Sequence, residues 1–487
     1  MAQSILGRAR PLLVARLAGA GLTFAVPLFL ARALLPASYG TFKQGWLLSQ
    51  TLQLVLPMGL TQSLYYFVPR DRSGRDRYVA QTLWATIGLG LFSAVLLLAF
   101  APLVAARFAN PELTRNLPWV AAFTALTLAA SPLDVVLNAS GRTGAAALVR
   151  VATEAGRGAA MVAGAALTGS VVGVFAGITL ASGVRAAVCA LTLFRAHGVF
   201  FDRTTLRRQA VYALPFGLAF LLIVPQQQYH QYAVAAAVSA AAFAVYSVGT
   251  FQLPLVDVLY TPVSELLQIG LAEADGAGRP ARAGLLLFHE AVLQLSFAFV
   301  PLTGLLLVAG PDLVVFLFSA RYAAAGSIFR LAVISVALAA LPLDGVMRAR
   351  AQNRFMLLLS AAKLAATVAA VSAGLRLLGP FGALLGWVVV EAGARGAMLV
   401  RTARVFEVPL RSVLPARALL RQFAATAVAA VAAWVALRTV PGTAFLRLAG
   451  CGMAFAAAYL GLSWARGWLP PGWVALFRAR SAAASGS

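Results

Sequence analysis

Long apolar segments recur along the chain, separated by short segments rich in charge, glycine or proline. Each apolar segment is about 20 residues long, the length an α-helix needs to cross a bilayer. The pattern predicts an all-α polytopic membrane protein of about fourteen transmembrane helices. The predicted spans are 11–33, 44–67, 80–106, 117–139, 144–168, 171–194, 209–227, 239–264, 284–309, 324–346, 355–376, 380–402, 418–439 and 443–464.

The composition supports the same interpretation. Hydrophobic residues make up 61% of the chain and charged residues 11%, with a mean hydropathy of +0.85, whereas soluble domains are about 45–50% apolar. Both cysteines, Cys189 and Cys451, fall inside predicted spans, so a disulfide framework is not expected. The first apolar segment is long and contains Arg16, so it is predicted to be a retained helix and not a cleaved signal.

The net charge of +24 is distributed unevenly among the loops. Basic residues cluster after the second, sixth, tenth and twelfth predicted spans, and such loops face the cytoplasm. Only eight lie in the opposite loops: Arg32, Lys43, Arg107, Arg115, Arg321, Arg376, Arg438 and Arg447. This placement predicts a multi-pass protein of the bacterial cytoplasmic (inner) membrane with both termini inside, and it argues against nucleic-acid binding.

An internal repeat divides the chain. The segment 131–136 (SPLDVV) recurs as 341–346 (LPLDGV), and Gly173, Gly177 and Arg185 match residues 209 to 210 positions further on. This offset spans six helices, so the two copies enter the membrane in the same direction. The repeat predicts two pseudo-symmetric six-helix lobes, over 1–200 and 201–404. Residues 405–487 add two helices and a cytoplasmic tail.

Charged residues inside predicted spans are costly, so each is a candidate functional group. Two sets have helical spacing that lets acids neutralise arginines, and we interpret them as structural ion pairs: Arg150, Glu154 and Arg157, and Glu391 with Arg395. Arg16 and Arg330 have no acid within a helical turn. They are therefore the predicted ligands of an anionic substrate, although Arg16 could instead extend to the membrane surface.

Amide side chains form a second predicted group, because amides in hydrocarbon need a polar partner or a wet cavity. The predicted substrate contacts are Gln62, Gln226, Gln227, Gln252 and Asp257. An amide-lined cavity would suit a hydroxyl-rich substrate such as a sugar. The segment Gln228–Gln231 is interpreted as an outer loop. Asp134 and Asp344 are candidate proton carriers, but both follow prolines near helix ends, where local capping is the simpler explanation.

Chemistry typical of enzymes is absent from the sequence. There is no glycine-rich phosphate loop with a lysine, no His-Glu-x-x-His motif and no metal-ligand spacing. The sequence therefore predicts no catalytic residue, no metal and no cofactor, and the protein is not expected to be an enzyme.

Four short segments resemble the polysaccharide and O-antigen flippases of the multidrug/oligosaccharidyl-lipid/polysaccharide exporter superfamily. They are Leu35–Gly40 (LPASYG), Leu206–Pro215 (LRRQAVYALP), Phe243–Ser247 (FAVYS) and Phe318–Gly326 (FSARYAAAG). The resemblance implies the fold of the multidrug and toxic compound extrusion (MATE) transporters, which belong to the same superfamily. It also implies a flippase for an undecaprenyl-diphosphate-linked oligosaccharide, used in lipopolysaccharide or exopolysaccharide synthesis and working by alternating access in a cationic cleft. It also implies membrane lipids and polysaccharide-assembly proteins as partners.

Two other functions compete with this expectation. A MATE-like multidrug cation exporter should carry unpaired acids in its first lobe, whereas the unpaired charge of the first predicted span is Arg16. A membrane-embedded polysaccharide polymerase should carry a large outer loop with acids or arginines, which the hydropathy pattern does not contain.

Overall fold

The computed structural model describes residues 21, 24–71, 73–251, 253–278, 280–470 and 473, and this part of the chain is helical with no strand. The helices are α1 (Phe24–Ala33), α2 (Pro36–Val55), α3 (Leu64–Arg70), α4 (Arg75–Ala99), α5 (Ala101–Phe108), α6 (Pro111–Ala129), α7 (Pro132–Ala139), α8 (Thr143–Thr168), α9 (Val171–His197), α10 (Arg203–Ala237), α11 (Ala240–Gly249), α12 (Pro254–Gly276), α13 (Ala281–Phe318), α14 (Ala325–Leu338), α15 (Leu343–Ala349), α16 (Asn353–Val405), α17 (Leu410–Val413), α18 (Ala416–Thr439) and α19 (Ala444–Ala465).

The structure confirms an all-α, multi-pass membrane protein. Within the described residues, nine helices are long and apolar enough to cross a bilayer, and the bent helix α10 is a tenth candidate. One of the nine, α16, has 53 residues and contains a non-helical glycine, Gly379, so its two arms are each long enough for a span. The number fourteen stays a prediction.

Polar caps fix where several helices begin. The Asn110 side chain accepts hydrogen bonds from the backbone N–H groups of Glu112 and Leu113 at the start of α6. Asp202 does the same at the start of α10 for Thr204 and Thr205. The Thr205 hydroxyl and these N–H groups stabilise the carboxylate and lower the pKa of Asp202.

Contacts divide the chain into two compact units, one within residues 1–247 and the other within 248–487. The first contains α1 to α10 and most of α11, and the second contains α12 to α19. The lobe boundaries at 200/201 and 404/405 follow from the sequence repeat and stay predictions. Because α10 packs on the helices that precede it, the contact boundary falls later in the chain than the repeat boundary.

The repeat is visible in the backbone of each unit. In the first unit, a long helix is followed by the short helix α7 and by the hairpin α8–α9, which turns at Gly169. In the second, α14 is followed by the short helix α15 and by the two arms of α16, which turn at Gly379. Both glycines have φ of 62°, in the left-handed region where glycine has no steric penalty.

The hairpins also share their closest helix contact. A Cβ on Gly173 would lie 2.4 Å from the carbonyl oxygen of Gly164. A Cβ on Gly382 would lie 2.0 Å from the carbonyl oxygen of Gly374. Small residues at these positions let the two helix backbones touch, as is typical of helix packing in membranes. The sequence repeat therefore corresponds to a repeated helical hairpin with the same packing.

Candidate functional site

Two interrupted helices meet in the first unit. The segment from α2 to α3 is interrupted at residues 56–63, where Met58 and Gly59 adopt φ of 45° and 77°. The two arms of α10, Arg203–Pro215 and Gly217–Ala237, meet at an angle of 43°. A Cβ on Gly217 would lie 2.6 Å from the Cβ of Met58, so the two interruptions are in contact. Interrupted spans of this kind often line the substrate site of a transporter.

One face of α2 carries a half-buried cation and an exposed amide. The charge pattern predicts an outer-loop position for Lys43. This prediction is wrong, because Lys43 lies within α2, roughly 10 Å from the start of the helix. Its Nζ lies 5.9 Å from the centre of the Tyr39 ring, and no salt bridge joins it to an acid among the described residues. Gln50, two turns further on the same face, is exposed. In a membrane protein, a lysine and an amide on one face of a helix favour a wet cavity over lipid.

A second cation adjoins this face from α8. The guanidinium of Arg157 lies 5.4 Å from the centre of the Trp46 ring, and Trp46 follows Lys43 by one helical turn. Arg157 also pairs with Glu154, in the i, i+3 arrangement, with both side chains about a quarter exposed. Arg150, the third member of the predicted set, is exposed and belongs to no salt bridge in the described part of the chain.

The amides of α10 are distributed over a helix surface. Gln226 is buried with 5% of its surface exposed, whereas Gln227 is exposed. The outer-loop interpretation of Gln228–Gln231 is wrong, because α10 continues to Ala237. Gln62, in the interrupted segment, is exposed and accepts a hydrogen bond of 3.2 Å from the adjacent Thr61 hydroxyl.

Hydroxyl and amide groups tie α10 to α2. Thr51 of α2 donates to the side chain of Gln228 and lies 2.7 Å from the Tyr232 hydroxyl. The Tyr232 hydroxyl also donates to the carbonyl of Leu47 at 3.3 Å. Burial raises the cost of leaving any of these groups without a partner. The cluster therefore holds the second arm of α10 against the first half of α2.

The contact continues to the ends of both helices. Gln44 donates to the carbonyl of Ala235 at 3.4 Å and accepts from the Asn110 amide at 2.7 Å. Next to it, Gly40 faces the backbone of Ala240, whose carbonyl oxygen would lie 1.8 Å from a Cβ on Gly40. Only a residue without a side chain fits this approach of α2 to the start of α11.

The second unit has its own charge cluster. Glu391 binds the Lys363 ammonium at 2.6 Å and Arg395 at 3.2 Å, and Arg395 also donates to the Leu341 carbonyl at 3.0 Å. The sequence spacing indicated the Glu391–Arg395 pair but not Lys363, which reaches it from the other arm of α16. One acid and two bases leave a net positive charge on this cluster.

The remaining predicted residues lie elsewhere or outside the description. Arg330 is exposed on α14 and donates to the Leu307 carbonyl at 3.0 Å, and Asp257 is exposed in the first turn of α12. Arg16 and Gln252 lie outside the described residues. The roles of all the predicted substrate residues stay predictions.

The repeated aspartates have partners that differ between the units. Asp134 binds Arg185 at 3.0 Å, whereas Asp344 accepts from the Tyr260 hydroxyl and lies 3.5 Å from Arg348. Each lies in the first turn of a short helix that begins at the repeated motif. No cluster of three metal-ligating side chains occurs among the residues that the structure describes.

A known protein family matches the first half of the sequence. The family described as polysaccharide biosynthesis protein matches residues 11–265, slightly more than half of the 487 residues. This chain belongs to that family. The matched region contains α1 to α11 and with them the interrupted spans, Lys43 and Arg157. No curated protein matches this sequence significantly.

Solved structures share the fold at low sequence identity. The lipid II flippase MurJ, in an inward closed conformation, aligns with a TM-score of 0.72 at 10% identity, covering 93% of this chain and 97% of its own. An inward-facing multidrug resistance MATE family transporter of the MOP superfamily aligns with a TM-score of 0.60 at 15% identity, covering 81% and 99%. The Pyrococcus furiosus MOP superfamily transporter with a binding pocket of reversed polarity aligns with a TM-score of 0.55 at 16% identity, covering 82% and 95%. The fold is therefore that of this superfamily.

The short segments that resembled the family have packing roles. Gly40 permits the contact with Ala240. Tyr246 is fully buried, and its hydroxyl lies 2.6 Å from Nδ1 of His230. Tyr322 is fully buried at the start of α14. These family residues thus fix how helices meet, and the charged groups on α2 and α8 are separate from them.

Proposed function

We propose that this protein is a transporter that carries an undecaprenyl-diphosphate-linked oligosaccharide across the bacterial cytoplasmic membrane, for the synthesis of surface polysaccharide. The observation that carries the proposal is one face of α2, where Lys43 and Gln50 lie on the same side of the helix and Arg157 adjoins Trp46 between them. Membership of the polysaccharide biosynthesis protein family supports the same substrate class.

The chemistry of these groups suits the proposed substrate. A diphosphate cannot enter hydrocarbon without compensation, and a lysine or arginine supplies charge-assisted hydrogen bonds to its oxygens. Exposed amides such as Gln50 and Gln62 can bind sugar hydroxyls. Lys43 has no acid partner among the described residues, so its charge is available to an anion. A cation exporter would need the opposite sign at this position, and this disfavours the multidrug alternative.

Alternating access would use the contact between α2 and α10. The hydroxyl and amide bonds from Thr51 and Gln44, together with the close approach at Gly40, hold one end of these helices together. The same helices are interrupted at Met58 and Gly217, so each can bend there. By the distribution of basic loops we place both termini in the cytoplasm, which puts this contact on the outer half of the membrane.

The proposal predicts a specific intermediate in cells. Deletion of the gene should cause undecaprenyl-diphosphate-linked oligosaccharide to accumulate on the cytoplasmic side, where it is protected from a sugar-specific enzyme added to spheroplasts. Extraction of the lipids and mass spectrometry would identify it. Absence of any such lipid, with surface polysaccharide unchanged, would refute the proposal.

Complementation then tests the site. The double variant Lys43→Gln/Arg157→Gln should fail to restore surface polysaccharide, although it reaches the membrane in normal amounts. Arg438→Gln is the matched control. The Arg438 guanidinium lies 4.1 Å from the centre of the Trp434 ring on α18, outside the proposed site, so this variant also removes a cation from an aromatic ring. If the double variant complements as well as the control, Lys43 and Arg157 do not bind the substrate.

A further inference from the structure

The second unit contains a small basic cavity between the two arms of α16, and the proposed substrate site does not include it. The cavity has a volume of about 300 Å³ and is lined by Phe355 from the first arm and by Ala397, Val400, Arg401 and Arg404 from the second. Its lining has three apolar residues, two arginines and no carboxylate. This composition is typical of a site for an anion that also carries an apolar part.

Arg401 is held in position for such a ligand. Its Nε and Nη2 donate to Oε1 of Gln352 at 2.8 and 2.5 Å, and its guanidinium lies 5.6 Å from the centre of the Phe355 ring. The Gln352 amide in turn donates to the Arg350 carbonyl at 2.9 Å. A neutral amide fixes the guanidinium without neutralising it. The Nη1 edge carries no bond to Gln352, and the full positive charge remains.

Arg404 adds a second charge without an acid partner. It is exposed one turn after Arg401, and neither arginine belongs to any salt bridge among the described residues. The next acid along the chain is Glu407, which lies beyond the end of α16 at Val405 and has a left-handed backbone. Two arginines on adjacent turns can bind the oxygens of one phosphoryl group.

The surface that leads from the cavity along α16 is apolar. Val400 is 41% exposed and Val389 is 60% exposed, three turns further into the arm. Between them, a Cβ on Gly393 or Gly396 would meet no atom within 4 Å. An acyl chain has room to lie along this arm while its headgroup reaches the arginines, which lie in the last turns of the helix. Basic cavities at the ends of membrane helices bind anionic headgroups in this way.

We infer that the Arg401–Arg404 cavity binds the phosphodiester headgroup of an anionic phospholipid. A free phosphate shares the oxyanion chemistry but would make no use of the apolar lining or of the exposed arm. A sugar-bearing headgroup would find few partners, because the lining contains no amide or carboxylate and the neighbouring Gln352 is already bonded to Arg401. The site is independent of the proposed transport function.

Native mass spectrometry of the purified full-length protein with added phosphatidylglycerol tests the inference. The wild type should retain phosphatidylglycerol with an affinity at least roughly tenfold higher than Arg401→Gln/Arg404→Gln, because a hydrogen bond to a charged group is worth about a tenfold change or more. Arg417→Gln/Arg421→Gln is the control, since it removes the same charge from exposed positions on α18, and it should bind like the wild type. Should the first variant fail to fold, Arg404→Gln alone serves, because Arg404 is exposed.

Three results would overturn the inference. Equal retention in the wild type and in the cavity variant would show that the arginines do not bind the lipid. Equal loss in both double variants would show a general effect of surface charge. Retention of phosphatidylcholine as strong as that of phosphatidylglycerol, or displacement of the lipid by millimolar inorganic phosphate, would exclude an anionic phospholipid as the specific ligand.

Discussion

Gly40 gives the sharpest test of the contact between α2 and the residues that follow α10. In Gly40→Ala, the new Cβ would lie 1.8 Å from the Ala240 carbonyl oxygen, whereas ordinary van der Waals contact begins at 3.4 Å. The two backbones must therefore separate by about 1.6 Å, and overpacking of this kind costs about 1–3 kcal/mol. Such a cost lowers the population of the closed contact by roughly 5- to 150-fold.

Hydrogen exchange measured by mass spectrometry reports this opening. In Gly40→Ala, peptides that cover 36–51 and 228–240 should exchange faster than in the wild type, because the Thr51 and Gln44 bonds break when the contact opens. Gly88→Ala is the matched control, since Gly88 lies in α4 and a Cβ there would meet nothing within 4 Å. If both variants exchange at the wild-type rate in these peptides, the contact does not depend on Gly40.

Three further predictions concern single polar groups. Thr51→Val should lower the unfolding free energy by about 1–3 kcal/mol, because buried partners on α10 lose a hydrogen bond; an unchanged thermal midpoint would contradict this. Glu391→Gln should cost up to about 3 kcal/mol, since Lys363 and Arg395 then face each other without an acid, and a gain in the thermal midpoint would be the contrary result. Asp202→Ala should destabilise the protein at neutral pH. The difference in unfolding free energy from the wild type should shrink as the pH falls below the ordinary pKa of 3.8 and through the lowered pKa of the folded state. If chemical unfolding gives the same difference at every pH, Asp202 does not act as a charged cap.

The class of fold could be predicted from the sequence because a membrane span is recognised from the length and hydropathy of one continuous segment. Length and hydropathy gave the helices, and the repeat of SPLDVV as LPLDGV predicted the correspondence between α7 and α15. Glycine spacing carried further information, since Gly173 and Gly382 mark the same backbone contact in each hairpin. These features depend on local sequence, and for this reason they could be predicted.

The candidate site was harder to predict from the sequence, because it depends on where helices end and on contacts between residues far apart in the chain. The sequence predicts a loop at Lys43 because the apolar pattern becomes clear only after it, although Pro36 marks the first turn of α2. It also predicts a loop at Gln228 because a run of amides breaks the hydropathy signal, but the partner Thr51 makes this run compatible with a buried helix. Lys363 and Glu391 form an ion pair across the turn at Gly379, and i, i+4 spacing within one helix cannot predict such a pair.

The most direct test of the central claim is transport by the purified protein in liposomes. Lipid-linked oligosaccharide extracted from the deletion strain would be incorporated with the protein, and its access to a sugar-specific enzyme outside the vesicles would be followed over time. The account predicts complete access with the wild-type protein and access to only the outer half of the lipid with Lys43→Gln/Arg157→Gln. Equal access in vesicles with the wild type, with that variant and with no protein would contradict it.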